Sequence, residues 1–343
     1  MKRFGRLTLQ VGLGSAISIA CLLLVLRFVD IDQVTVILSR TTFPLVLVAV
    51  AAIMVDVLLR AWRWRVLVAP LTVVPLGRVM AYLLLGYLAN NVLPGRAGEL
   101  VRSHYLGDRE GTSRVSVLGT VLVERIADVV ALLLLSAVAW WMTGAAPALG
   151  GLLVIGLLGG AGAVSMLAAA IILPGRNRLL SWVATRLPAA IMSAGARLRA
   201  GLVVVRSPRT LLASVALTLT AWVTTAAVFA AAAGAIGFQI SPAQVLLVAA
   251  ATNLATAIPS APGYVGTFEF AVVATAGAIG LGTAPALAMG VLVHAAIILT
   301  TTVGGLAAMY VVTYRRRMQL TEPIVLTEDF DAMGEARQQP PQE

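Results

Sequence analysis

The run Asn90-Asn91-Val92-Leu93-Pro94-Gly95-Arg96-Ala97-Gly98-Glu99-Leu100-Val101-Arg102 breaks an apolar stretch with a proline, two glycines and three charges. A helix does not pass through Pro94-Gly95 intact, because proline lacks the amide hydrogen and glycine carries a large entropic penalty. The pattern Pro-Gly-x-x-Gly followed by a glutamate returns at Pro262-Gly263-Tyr264-Val265-Gly266, with Glu269 three residues on. Each break lies between apolar arms of about 13 to 16 residues, which reach about 20 to 24 Å as helices, short of a hydrocarbon core of about 30 Å. The sequence therefore predicts two re-entrant or broken helical hairpins, over 79–110 and 243–283.

The composition names the solvent. Of 343 residues, 59% are hydrophobic and 12% charged, and the mean hydropathy is +0.94. These values predict an all-α polytopic membrane protein. Lys2 is the single lysine, so a phosphate-cradling GxxxxGK[ST] loop and Schiff-base chemistry are excluded, and no nucleotide hydrolysis is expected. Cys21 has no second cysteine to pair with, and His104 and His294 stand apart from each other. No disulfide, metal site or cofactor is expected.

Loop charge assigns the faces. Lys2-Arg3-Phe4-Gly5-Arg6 precedes an apolar run from Leu7 to Leu26, which reads as a retained first span with a cytoplasmic N-terminus. Segments 60–78, 96–114, 176–209 and 315–317 are arginine-rich, whereas the loops near 144–150, 237–242 and 280–285 carry no charge. By the positive-inside rule the first group is cytoplasmic, as is the C-terminus, and the second lies outside. Residues 78 and 114 then share a face, so the chain between them enters the membrane and returns. Residues 240 and 284 share the opposite face.

Each half thus reads as span, span, hairpin, span: 7–26, 43–59, 79–110 and 115–142, then 149–173, 210–236, 243–283 and 286–313. About six full spans plus two hairpins make an inverted-topology repeat, an architecture of alternating-access transporters with midplane sites. The expected divisions are 1–145 for the first repeat, 146–314 for the second and 315–343 for a disordered cytoplasmic tail. Within the second repeat, 175–209 carries seven arginines. It reads as an interfacial helix or helix pair on anionic headgroups, or as a plain topological anchor.

An ionisable group at membrane depth costs roughly 2.5 to 3.5 kcal/mol on insertion scales, so each one needs a partner, a cavity or a function. Between Asp128 and Glu322 the chain holds one carboxylate, Glu269. In the first hairpin, Asn90 and Asn91 suit carbonyls released by the break. Arg96 and Arg102, beside the positive end of the returning arm, suit a phosphate. Glu99 either faces the site or caps the arm and pairs with Arg102. Glu124, Arg125 and Asp128 fall about 14 Å along from Arg114 in a helix, near mid-bilayer. Arg125 with Asp128 reads as a structural ion pair. Glu124 is left over, to pair with Arg96 or Arg102 or to exchange a proton. Asp56, Arg60, Arg63 and Arg65, interleaved with Trp62 and Trp64, read as interface anchoring. Tyr264 offers a hydroxyl at the second break. His294 sits near the repeat-equivalent place of Glu124 and ranks as a minor candidate.

At these residues the chain resembles the transmembrane region of the lysylphosphatidylglycerol synthase family, also called the flippase-like membrane domain family. The resemblance rests on 90–102, on Glu124-Arg125-Ile126-Ala127-Asp128, on the arginine-tryptophan cluster 60–65 and on 259–269, and covers about 7 to 314. In two-part members it implies a membrane region that moves an aminoacylated phospholipid between leaflets and a soluble C-terminal domain that makes it. The acidic tail after Arg317 is too short for such a domain, so the expectation is a stand-alone transporter and not an enzyme. The expected substrate is a phospholipid or polyprenyl-linked lipid in the cytoplasmic membrane, with ion or proton coupling and no nucleic-acid partner. The competing expectations are an ion-coupled transporter of a small anion, an enzyme acting on a lipid-linked sugar, and a non-catalytic partner in a cell-envelope glycolipid pathway.

Overall fold

The computed structural model describes residues 2–93, 97–144, 156–166, 188–256, 258 and 260–321, and every regular element among them is a helix. In chain order these are α1 (Lys2–Phe28), α2 (Ile31–Ser39), α3 (Phe43–Val68), α4 (Leu76–Val92), α5 (Gly98–Arg109), α6 (Arg114–Thr143), α7 (Gly156–Met166), α8 (Ala189–Leu202), α9 (Pro208–Ala235), α10 (Pro242–Ala255), α11 (Thr267–Ala278) and α12 (Thr283–Thr321). Local chemistry sets several of the starts. The Asp30, Ser113, Ser207 and Ser241 side chains each accept a hydrogen bond from a backbone N–H of the helix that follows, and Pro208 and Pro242 open α9 and α10.

Phe43–Val68, Pro208–Ala235 and Thr283–Thr313 are long and apolar enough to cross a bilayer, and Gly12–Phe28 with Ile31–Ser39 forms a pair bent by 85°. The protein is a helical, multi-pass membrane protein. Its two hairpins are α4 with α5 (hairpin I) and α10 with α11 (hairpin II). Their arms of 17, 12, 14 and 12 residues reach about 18 to 26 Å, each shorter than the hydrocarbon core.

Helix α12 acts as a ruler for their placement. Its first half carries hairpin II: a Cβ on Gly290 would meet the Val272 side chain, and His294 touches Gly263 and Glu269. Its second half carries hairpin I: Asn91 bonds to Thr301 and Thr302, Gly304 and Gly305 face Leu84 and Leu88, and Arg109 donates to the Val312 carbonyl. The hairpins therefore lie end to end along one helix, with their bases at opposite ends and their tips together. Helix α3 divides in the same way. Ala49, Ile53 and Val57 share a core with Val248, Phe268 and Val272 of hairpin II. Ala61, Trp64 and Val68 share another with Val79, Leu83 and Leu106 of hairpin I.

Both ends of hairpin I return to one place. Glu110, just past α5, accepts from the Tyr82 hydroxyl at 2.7 Å and lies 3.3 Å from Arg78. Inside this hairpin the arms touch backbone to backbone: a Cβ on Gly98 would collide with the Gly86 carbonyl and the Asn90 side chain.

Several boundaries differ from the expectation. The first span does not end at 26 but runs to Phe28, where the chain turns sharply and the Asp30 cap starts the unforeseen α2. Helix α3 does not stop at 59. It continues through the arginine-tryptophan cluster to Val68, because Arg60, Arg63 and Trp64 are buried in protein and not spread over an interface. Helix α12 continues past 314 to Thr321, two residues short of Pro323, the next residue that cannot extend it. Pro94, Gly95, Arg96, the span expected at 149–173 outside Gly156–Met166, the basic segment before 188 and the tail after 321 lie outside the described residues.

Candidate functional site

The tips of the two hairpins enclose a cavity of about 510 Å³. Hairpin I contributes Asn90, Asn91, Gly98, Glu99 and Arg102; hairpin II contributes Asn253, Thr256, Gly263, Tyr264 and Phe268; α12 closes the gap with His294 and Thr301. The breaks approach directly, since a Cβ on Gly263 would sit 3.7 Å from the Asn91 carbonyl oxygen.

At the first break, the Asn90 side-chain oxygen accepts from the Gly98 N–H at 2.8 Å, and the Asn91 amide donates to Thr301 and Thr302 at 2.9 and 3.0 Å. Asparagine thus serves the amide freed at the start of α5 and ties the break to α12. One turn along, Arg102 is 3% exposed. Its guanidinium lies 4.8 Å from the Trp64 ring centroid and 3.2 Å from Glu124. Its Nη2 is buried with no hydrogen-bond partner among the described residues.

Glu124 is fully buried and serves three arginines: Arg63 at 2.8 Å, Arg125 at 3.0 Å and Arg102. Asp128 is held chiefly by Arg63, at 2.5 Å, and accepts from Trp222 Nε1 at 3.2 Å. Arg125 is 3.6 Å away, so the ion pair expected between Arg125 and Asp128 is a secondary contact. Arg63 comes closer because α3 faces α6 across the core, whereas Arg125 turns its end toward Glu124. Arg60 pairs with Asp56 at 2.7 Å, donates to Thr225, and stacks 4.4 Å from the Trp222 ring centroid. Among the described residues this network joins four arginines (Arg60, Arg63, Arg102, Arg125) to three carboxylates (Asp56, Glu124, Asp128), leaving one positive charge in excess. Glu99 lines the cavity and forms no salt bridge there with Arg102, which turns to Glu124 instead.

At the second break the backbone is unusual. Gly263 and Tyr264 both adopt left-handed conformations, φ +67° and +61°, which glycine accepts readily and tyrosine rarely does. Glu269 Oε2 accepts from the Gly266 N–H at 2.7 Å and so caps α11, while its Oε1 meets His294 Nδ1 at 2.5 Å. His294 Nε2 meets the Gly263 carbonyl at 2.6 Å, and Phe268 stacks on the imidazole with centroids 4.3 Å apart. Glu269 stands behind His294, which is the residue that lines the cavity. Helix α1 buttresses the tip, with the Ser18 hydroxyl accepting from the Ala261 N–H at 2.9 Å.

The site thus gathers Asn90, Asn91, Gly98, Glu99, Arg102, Glu124, Arg125, Glu269 and Tyr264 about two adjoining breaks. Reasoning from sequence understated Arg60, Arg63 and His294. The signal was present for the arginines: Asp56, Arg60 and Arg63 fall at i, i+4 and i+7 on one helix face, a spacing suited to one internal cluster. Trp222, Thr225 and Asn253 lie in apolar runs with no such mark.

The chemistry available is recognition. Guanidinium forks and the positive ends of α5 and α11, both starting at the tips, suit an anionic group. The cavity volume falls within the ~300–1,000 Å³ of ordinary ligand sites, room for a headgroup and not for a whole lipid.

Residues 11–305 match the family described as the lysylphosphatidylglycerol synthase TM region, and the chain belongs to that family. No curated protein matches it.

Proposed function

Starting from that membership, we propose that the protein is a lipid transporter of the cytoplasmic membrane, moving a phosphate-bearing headgroup between leaflets through the cavity while the tails stay in lipid. The observation that carries this reading is the convergence of two oppositely directed hairpin breaks on one cavity walled by an arginine-rich network. The hairpins then form the cores of two inverted repeats, α6 crosses the membrane beside them, and both termini face the cytoplasm. Arg102 and Arg125 hold phosphate. Glu99 and the asparagines orient the rest of the headgroup. Without a nucleotide-binding motif, transport is downhill or coupled to an ion gradient.

The test is leaflet exchange of labelled phospholipids and polyprenyl phosphates in reconstituted vesicles. We expect Arg125→Gln and Glu99→Gln to slow exchange by about tenfold, the effect of losing one ordinary charged contact of about 1.4 kcal/mol. Exchange unaffected by both substitutions, or uptake of a soluble anion without lipid exchange, contradicts the proposal. A purified protein that exchanges no lipid but retains a stable glycosyltransferase partner does so too.

A further inference from the structure

Hairpin II contains a site whose contents follow from hydrogen-bond arithmetic. The Gly263 carbonyl can only accept, so His294 Nε2, 2.6 Å away, carries a hydrogen. On the other side of the ring, Nδ1 lies 2.5 Å from Glu269 Oε1. A neutral imidazole with hydrogen on Nε2 would aim a lone pair at a carboxylate. A second proton must therefore lie between Nδ1 and Oε1, on one or the other. Imidazolium with carboxylate and imidazole with carboxylic acid have the same composition and zero net charge.

Release of that proton to water leaves one negative charge and only one ring hydrogen for two acceptors. The ring then keeps Gly263 and loses Glu269, or moves its hydrogen to Nδ1 and loses Gly263. Either way one tie between α12 and the second break is lost. That break holds Tyr264 in a left-handed conformation next to the cavity, and strained backbone persists only where surrounding contacts enforce it.

We propose that Glu269 and His294 form a proton-binding site whose occupancy sets the conformation of the second break and couples transport to a proton gradient. The ligand is a single proton, exchanged between the pair and water in the cavity. The coupling rests on the transport reading; the proton site does not. The charged and titratable groups lining the cavity beside this pair are Asp56 and Arg60 on α3, Tyr87 on α4, Glu99 and Arg102 on α5, Arg125 and Asp128 on α6 and Tyr264 on the break itself. Arginine stays charged throughout, and Asp56 and Asp128 are paired with arginines. Among the described residues the Glu269–His294 pair differs from them in making no salt bridge to an arginine.

With two histidines in the chain, His104→Gln leaves His294 as the only imidazole for ¹⁵N nuclear magnetic resonance. In the lipid-reconstituted protein we expect a ring with two hydrogens at low pH that converts in one step to a one-hydrogen form as the pH is raised. Glu269→Gln retains an acceptor for the Gly266 N–H and should abolish that step, leaving a neutral ring. Glu269→Asp should restore it. A ring that stays neutral, or stays doubly protonated, across the whole range overturns the proposal, as does a step unchanged by Glu269→Gln. In vesicles, an imposed pH gradient should raise the wild-type exchange rate severalfold over its gradient-free value, and that ratio should fall to one in Glu269→Gln. A wild-type ratio of one overturns the coupling. Absence of any lipid exchange defeats the transport reading and leaves the resonance result to decide the proton site.

Discussion

Hairpin I and hairpin II share a sequence pattern but solve the problem of buried charge differently. Around hairpin I, four arginines and three acids neutralise one another in a network whose arginines keep their charge at every accessible pH. At hairpin II, one glutamate is bonded to one histidine, and on the proton-site proposal the net charge there depends on whether the shared proton is held or released. The contrast teaches that a repeated backbone break need not repeat its chemistry. On the proposals made above, one half presents a standing positive surface to an anion, and the other has a charge that can change.

The sharpest way to break this contrast is to remove the acid at the centre of the fixed network. Glu124→Gln leaves Arg63, Arg102 and Arg125 around a neutral amide. Breaking a buried ion pair from one side costs roughly 3 to 5 kcal/mol, so thermal unfolding in detergent should show the largest destabilisation of any single change described here. A variant that melts like wild type would mean that the network is solvated and the cavity far wetter than its burial indicates.

The next contrast concerns the glycines of the two breaks. At Gly98 the constraint is space, because a Cβ would strike Gly86 and Asn90. At Gly263 it is conformation: φ is +67°, while the nearest atom to a Cβ is 3.5 Å away on Ile298. Gly98→Ala should cost about 1 to 3 kcal/mol by overpacking, and Gly263→Ala about 1 to 2 kcal/mol by left-handed strain alone. In hairpin I, the further change Asn90→Ala should recover part of the loss by making room; no neighbouring truncation should rescue Gly263→Ala. Melting curves for these variants separate the two causes.

The breaks were legible in the sequence because proline, glycine and short apolar arms act locally. The helix pairs they predict are those observed, and Arg102, Glu124 and Asp128 are buried within the protein. The arginine-tryptophan segment was misread as an interface because loop charge sorts faces only for residues outside the protein. Arg60 and Arg63 are inside, neutralised by Asp56, Glu124 and Asp128, two of which come from another helix. No local rule announces a partner more than sixty positions away. His294 was undervalued for the same reason: its meaning comes from Glu269 and Gly263, brought to it by the packing of hairpin II on α12. The bend between α1 and α2 was missed because Arg27, Asp30, Asp32 and Gln33 mark the end of an apolar run but do not by themselves specify an 85° turn into a second helix.

The smallest expected effect lies at the base of hairpin I, outside the buried network. Arg114, 2.5 Å from Asp108, holds that carboxyl below its usual value, chiefly through their hydrogen bond. A carboxyl lowered on folding adds stability above the usual carboxylate range and loses it as the pH falls through the folded value. Both side chains are exposed and solvent screens the pair, so Asp108→Asn should leave the melting temperature unchanged at neutral pH and equally unchanged in acid. A clear loss would place this pair in a drier setting and extend the buried network to the hairpin base.

The most direct test of the central geometry, two hairpins entering from opposite sides and meeting at their tips, is side-specific thiol labelling. Cys21 is the single cysteine, so a Cys21→Ser background reports only introduced thiols. Cysteines at Arg78 and Glu110, and separately at Ser241 and Gly280, would be exposed to a membrane-impermeant reagent in vesicles of known orientation. The account predicts that 78 and 110 react from one side and that 241 and 280 react from the other. Labelling of 78 and 110 from different sides would contradict it.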